Sequence, residues 1–315
     1  MRPQLAEIFD QPIPAYFTML VIGFSLATWI GARWAKRSRL DHDTVIDLGL
    51  FSLIAGVVGA RLLHVVADGY FWDYVHLCTD PSLVEWQITQ PECAQYEGLW
   101  DSAARVCRPA EADCFAWAKF WAGGLTYYGG LIAASAFGLW FLRREKFPML
   151  KATDMAGMVI PIGLFWGRLG CYLGGCCFGT QVDETFPLAA RFPEWSPASK
   201  AHWQQGLLPG PHFESLPVHP AQLYESLGCL SIAAILMFVV HPRKRFDGAV
   251  FLGFLGLYAA LRFFLEYIRA DDRGGIGPLS TSQIIGLAVV VLCVFVWRHL
   301  RARALRLQDR PPATT

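Results

Sequence analysis

The chain has 315 residues, 54% of them hydrophobic and 17% charged, with a mean hydropathy of +0.34. One large soluble domain would need those apolar residues dispersed, but they gather into runs of about 20, the length that crosses a hydrocarbon core of roughly 30 Å at 1.5 Å per residue. The net charge of +1 gives no reason to expect a nucleic-acid partner, and the charges inform only through the way loops sort them.

In chain order the apolar runs predict seven spans, residues 15–31, 46–67, 121–142, 153–173, 221–240, 249–268 and 281–297. The expected fold class is all-α, a single polytopic transmembrane domain over residues 1–315 with a small external cap. Lysine and arginine number 16 in the loops of one side and 8 in those of the other. The positive-inside rule then places the N-terminus outside and the C-terminus in the cytoplasm. Only Arg2 precedes the first run, while Arg33, Lys36, Arg37 and Arg39 follow it, the wrong polarity for a cleaved signal peptide.

The expected outside loop 68–120 holds Cys78, Cys93, Cys107 and Cys114. Four thiols there suggest two disulfides of open pairing, with scattered free cysteines as the alternative. Loop 179–219 carries six prolines, which argue against a further span and for an external cap. The tail 298–315 is basic, and five arginines there would hold it against anionic inner-leaflet lipid.

Within the spans the notable stretch is residues 167–179, GRLGCYLGGCCFG. An arginine at mid-membrane depth costs about 2.5–3.5 kcal/mol and normally faces a partner, a water-filled cavity or an anionic ligand. Arg61, Arg168 and Arg262 lie 15, 15 and 13 residues from the starts of runs that share a direction, hence at about the same depth, 20–23 Å from the inner edge. Tyr128 approaches that level from the other side, Gln222 and Glu225 open the fifth run, and Arg262, Glu266 and Arg269 form one helical stripe. These residues predict a polar chamber with arginine in excess, open toward the outer leaflet. Such a chamber suits a phosphate-bearing lipid, because guanidinium matches phosphate with paired hydrogen bonds. The alternative is that each arginine is a structural ion pair with Glu225 or Glu266. The glycines of 163–179, with Gly123, Gly124, Gly129 and Gly130, fit close helix packing or the approach of a head group to backbone.

The segments GARL (59–62), GLTYYGGLI (124–132), 167–179, HPAQLYE (219–225), RFFLEYIR (262–269) and 279–283 together resemble the bacterial prolipoprotein diacylglyceryl transferases. The resemblance implies a bacterial plasma (inner) membrane enzyme that moves a diacylglyceryl group from phosphatidylglycerol to the lipobox cysteine thiol of a prolipoprotein signal peptide, releasing glycerol phosphate. Its implied partners are thus phosphatidylglycerol, the precursor peptide and membrane lipid, and no metal or other cofactor is expected. By motif position Tyr16, Arg168, Gly179, Glu225, Arg262 and Glu266 fall on residues that the family uses for substrate binding or catalysis, Arg61 and Arg269 also match its pattern, and the catalytic residues expected here are Arg168, Arg262, Tyr128 and Glu225. Substrate binding would fall to Tyr16, Arg61, Gly129, Gly130, Cys171, Gly179, Gln222, Glu266 and Arg269.

Three positions depart from the family pattern. Tyr128 stands where the family shows histidine, considered a catalytic base, Cys171 where it shows asparagine, and Cys176 where it shows glutamate. An acceptor thiol of pKa near about 8.5 is only a few per cent thiolate at neutral pH, so a cationic chamber would raise that fraction. Arg168 and Arg262 would hold the departing phosphate, Glu225 would orient an arginine or accept the thiol proton, and Tyr128 would donate a hydrogen bond to a phosphate oxygen. Two other classes compete: a thiol-redox or metal-binding membrane protein using Cys171, Cys176 and Cys177, although adjacent cysteines seldom share one tetrahedral ion, and a phospholipid-binding protein without the reaction.

Overall fold

The computed structural model describes residues 4–8, 11–95, 97–120, 124–270, 275–277 and 279–308. Arg2, Gly123 with the start of the third expected span, Arg273 and Arg310 lie outside the described residues. A hairpin of β1 (Gln4–Ile8) and β2 (Gln11–Pro14) leads into α1 (Ala15–Arg37). Next come α2 (His42–Ala67), α3 (Phe71–Thr79), α4 (Gln90–Gln95), the antiparallel pair β3 (Leu99–Asp101) and β4 (Val106–Arg108), and α5 (Tyr127–Arg144). The chain continues with α6 (Met149–Gly174), α7 (Pro197–Gln204), α8 (Ala221–Arg243), α9 (Ala249–Ile268), the pair β5 (Gly275–Ile276) and β6 (Leu279–Ser280), and α10 (Thr281–Gln308).

Among the described residues six helices, α1, α2, α6, α8, α9 and α10, are long and apolar enough to cross a membrane. The protein is therefore a mostly helical, polytopic membrane protein. The third expected span is represented by α5, whose 18 residues begin in YYGG and end in two arginines that dilute its apolar run. The helix of the last expected span, 281–297, runs on through the basic residues to Gln308 as α10. Arginine is a good helix former, and no proline interrupts the run before Pro311.

The chain forms two compact units, Met1–Val45 with Pro148–Thr315, and Ile46–Phe147. In the first, α6 packs against α1 and α8, and α9 packs against α6, α8 and α10. Small residues permit this closeness: a Cβ on Gly157 would lie 2.8 Å from Phe251 Cα. The core gathers Met158, Ile232, Leu236, Val250 and Phe254. Fully buried Asp154 of α6 caps α9, accepting from Val250 N at 2.8 Å, while Lys244 Nζ balances its charge at 2.7 Å. A carboxylate is favoured there because the first amides of a helix lack partners.

The cap expected over 179–219 has a small core of Ala190, Phe192, Ala198 and Val218. It also contains a helix the sequence did not signal, α7, capped where Ser196 Oγ accepts from Ser199 N at 3.2 Å.

In the second unit α5 lies tight against α2, and a Cβ on Gly129 would collide with the Gly59 carbonyl. The loop cysteines are joined as Cys78–Cys114 and Cys93–Cys107, which resolves the open pairing.

Candidate active site

The first unit builds its polar centre at one end of α6. The helix stops where Gly175, at φ 73°, adopts the left-handed conformation. Cys176 N donates to Cys171 O at 3.1 Å and Gly175 N to Tyr172 O at 3.3 Å, the bonding pattern of a Schellman motif. That turn folds Cys176 back onto Cys171. Cys177 is also left-handed, at φ 62°, rare for a residue other than glycine, asparagine or aspartate. All three sulfurs lie within 4.8 Å of one another. Adjacent cysteines ordinarily point apart, and this pair of positive-φ residues is why these do not.

Beyond the turn the chain is laced between two helix ends. Gly179 N donates to His219 O at 2.9 Å and Thr180 N to Ile268 O at 2.8 Å. Gly179 has no room for a side chain, since a Cβ would sit 2.5 Å from Ile268 O. Here glycine serves backbone approach, bringing Arg269 at the end of α9 toward the start of α8. Gln222 Nε2 donates to Cys176 O at 2.7 Å, and Ser226 Oγ donates to Phe165 O at 3.0 Å, tying α8 to α6.

Glu225, 1% exposed, is the hub. Its Oε2 lies 3.0 Å from Arg168 Nε and 3.7 Å from Arg269 Nη1, and its Oε1 accepts from the Tyr258 hydroxyl at 2.9 Å. One turn beyond Tyr258 on α9, Arg262 Nη2 is 2.6 Å from Glu266 Oε2 and 3.5 Å from Ser282 Oγ. Each arginine thus has an acidic neighbour, as the ion-pair alternative holds, with Arg168 and Arg269 converging on Glu225 and Arg262 on Glu266. Tyr16, on the first turn of α1 and 44% exposed, packs beside Gly170 and within electrostatic reach of Arg168 and the three thiols.

The other expected residues belong to the second unit. Arg61 is buried and donates to three carbonyls, Trp117 O at 2.7 Å, Ala116 O at 2.6 Å and Gly124 O at 3.0 Å, with Tyr74 beneath its guanidinium. Gly129 and Gly130 face α2. Tyr128 lies in the first turn of α5 and is 62% exposed. Sequence reasoning missed Tyr258 and Ser282. Tyr258 was within reach of it, because it extends the stripe of Arg262 and Glu266 one turn backward.

A cavity of about 350 Å³ lies some 15 residues along α8 from Glu225, lined by Arg243, Lys244, Arg245 and Arg301 beside Phe246 and Trp297. None of the expected site residues borders it.

The family model of the prolipoprotein diacylglyceryl transferases matches residues 3–299. The phosphatidylglycerol–prolipoprotein diacylglyceryl transferase of Clostridium tetani is 23% identical over 303 residues, 96% of this chain and 99% of that one. Those of Geobacillus kaustophilus and Escherichia coli are each 27% identical, over 95% of this chain and 94% of theirs. With the match reaching every helix of the first unit and covering all of the second, the protein belongs to the prolipoprotein diacylglyceryl transferase family.

Proposed function

We propose that the protein transfers a diacylglyceryl group from phosphatidylglycerol to the lipobox cysteine of a prolipoprotein. It would work in the bacterial inner membrane with its N-terminus outside, its C-terminus in the cytoplasm and α5 as the seventh crossing. The observation that carries this reading is the convergence of Arg168, Arg262 and Arg269 with Glu225 and Glu266 within an apolar helical unit of a family member.

Glu225 meets Arg168 at Nε, on the side edge of the guanidinium. The end-on Nη1 and Nη2 edge is the one that matches two phosphate oxygens. Glu225 and Tyr258 orient Arg168, and Glu266 orients Arg262, so both cations are placed before charge develops on the leaving phosphate. Preorganised charge of this kind is usually the largest catalytic term. The acceptor sulfur attacks the glycerol carbon that carries the phosphate ester, that C–O bond breaks, and glycerol phosphate leaves with the electron pair. Tyr128 keeps the donor role toward a phosphate oxygen that its motif position suggests.

Arg262→Ala is expected to lower transfer of labelled diacylglycerol to a lipobox peptide by on the order of 10²–10³. Full transfer by that variant would sink the reading. Rescue of lipoprotein maturation in cells depleted of their own transferase separates an active enzyme from a lipid-binding relative.

A further inference from the structure

The thiols at the end of α6 are more than the helix cap requires. A Schellman turn brings together the side chains of its third-last helical residue and the second residue past the cap, here Cys171 and Cys176, and any apolar pair would serve. Cys177 adds a third sulfur only by taking a left-handed backbone at φ 62°, and strain of this sort collects at functional sites. The three sulfurs lie within 4.8 Å of one another, Cys171 buried and the others half-buried. Three thiolates about a zinc ion stand about 3.8 Å apart when each Zn–S bond is about 2.3 Å, so closure needs only side-chain adjustment.

Two further observations converge on the same place. Gln222 is fully buried; its Nε2 holds the Cys176 carbonyl at 2.7 Å, while its Oε1 is without a hydrogen-bond partner among the described residues. Arg168 lies within electrostatic reach of Cys171 and Cys177, and Arg269 of Cys177. Zinc with three thiolates carries one net negative charge, which the nearby guanidinium groups of Arg168 and Arg269 favour.

We propose that Cys171, Cys176 and Cys177 bind one Zn²⁺ ion whose fourth position takes the sulfur of the acceptor cysteine. The inference rests on the reaction given under Proposed function and supplies the activation of its nucleophile. Catalytic zinc sites keep three protein ligands and one open position, and coordination deprotonates a thiol outright at neutral pH. On binding, the acceptor S–H loses its proton to water. The zinc-bound sulfur forms the new C–S bond as the glycerol C–O bond breaks and glycerol phosphate departs with the electron pair. No electron is gained or lost, and the thioether product, a weak ligand, leaves the metal. This chain thereby activates the thiol without the histidine that its family pattern places at Tyr128.

The test uses full-length protein in detergent, supplied with zinc salt and then desalted. Metal analysis is expected to find close to one zinc per chain. Cys171→Ser, Cys176→Ser and Cys177→Ser should each weaken zinc binding by on the order of 100-fold, while Cys293→Ala, in α10, keeps full zinc content. Cobalt substituted for zinc should show thiolate-to-cobalt absorption that shifts with a lipobox peptide and stays put with the peptide's Cys→Ser form, a readout on wild-type protein that needs no variant to fold. A disulfide among the three cysteines, copper instead of zinc, or transfer that survives metal removal overturns the proposal and leaves the transferase reading standing. Zinc bound without response to the peptide overturns the activating step. A peptide-responsive metal site without lipid transfer supports the site and overturns the transferase reading.

Discussion

The two units use the same residue types for opposite ends. In Ile46–Phe147 four cysteines close two disulfides, and Arg61 spends its hydrogen bonds on the neutral carbonyls of Trp117, Ala116 and Gly124. In the unit that holds Pro148–Thr315 three cysteines stand together unjoined, and Arg168, Arg262 and Arg269 gather about Glu225 and Glu266. Side chains paired among themselves stabilise a fold. Side chains brought together with ligand capacity left over are set for a reactant. Chemistry thus follows from the partners that folding provides, and residue type alone does not decide it.

The sharpest way to break that contrast is to exchange cysteines for serine in both places. Cys93→Ser with Cys107→Ser opens a link of sequence separation 14 and should cost about 3 kcal/mol, read as earlier thermal or proteolytic opening of the loop. Cys176→Ser should change stability by less than about 1 kcal/mol while lowering lipid transfer. The contrast fails if the two sets give the same profile.

Arg61→Lys comes next. One ammonium cannot reproduce three forked hydrogen bonds to fixed carbonyls, and stability should fall by about 2 kcal/mol. Transfer measured well below the melting temperature should change far less, whereas Arg168→Lys should do the reverse. Tyr258→Phe removes the hydroxyl from Glu225 Oε1 and should lower transfer about tenfold, the size of one hydrogen bond to a charged group. Wild-type transfer by that variant would mean that Glu225 orients Arg168 unaided.

The smallest effect concerns the cap. His202 is 4% exposed, its Nδ1 accepts from Leu216 N at 3.2 Å, and burial holds its pKa below the ordinary value. The folded cap prefers the neutral ring, so the stability that His202 contributes is fully present above about pH 6.5 and declines as pH falls below that, because the unfolded chain takes up the proton first. The protection of the Leu216 amide, corrected for the intrinsic slowing of exchange with pH, should fall between about pH 7.5 and pH 5.5, and an unchanged protection would remove His202 from the account of the cap.

The helices were legible because apolar runs of about 20 residues admit few other readings, and six of the seven expected runs start within four residues of a helix that begins with Ala15, His42, Met149, Ala221, Ala249 or Thr281. The stripe of Arg262, Glu266 and Arg269 was legible for the same reason, since helical spacing puts those positions on one face. Arg61 shared their depth by residue count, yet depth says nothing of which way a side chain turns. Here it turns into the carbonyls of its own unit. The role of Gly179 was equally hidden, because what crowds it is the carbonyl of Ile268, 89 positions away in sequence.

Sequence alone therefore determined that the chain crosses a membrane many times, that arginines and carboxylates lie within it, and which family pattern they follow, because hydropathy and helical period are local properties. Only the tertiary structure decided which cation meets which anion, which cysteines join and which stay open. Those outcomes depend on backbone turns at Gly175 and Cys177 and on contacts between segments far apart in the chain, where the free energy of a pairing is set by geometry.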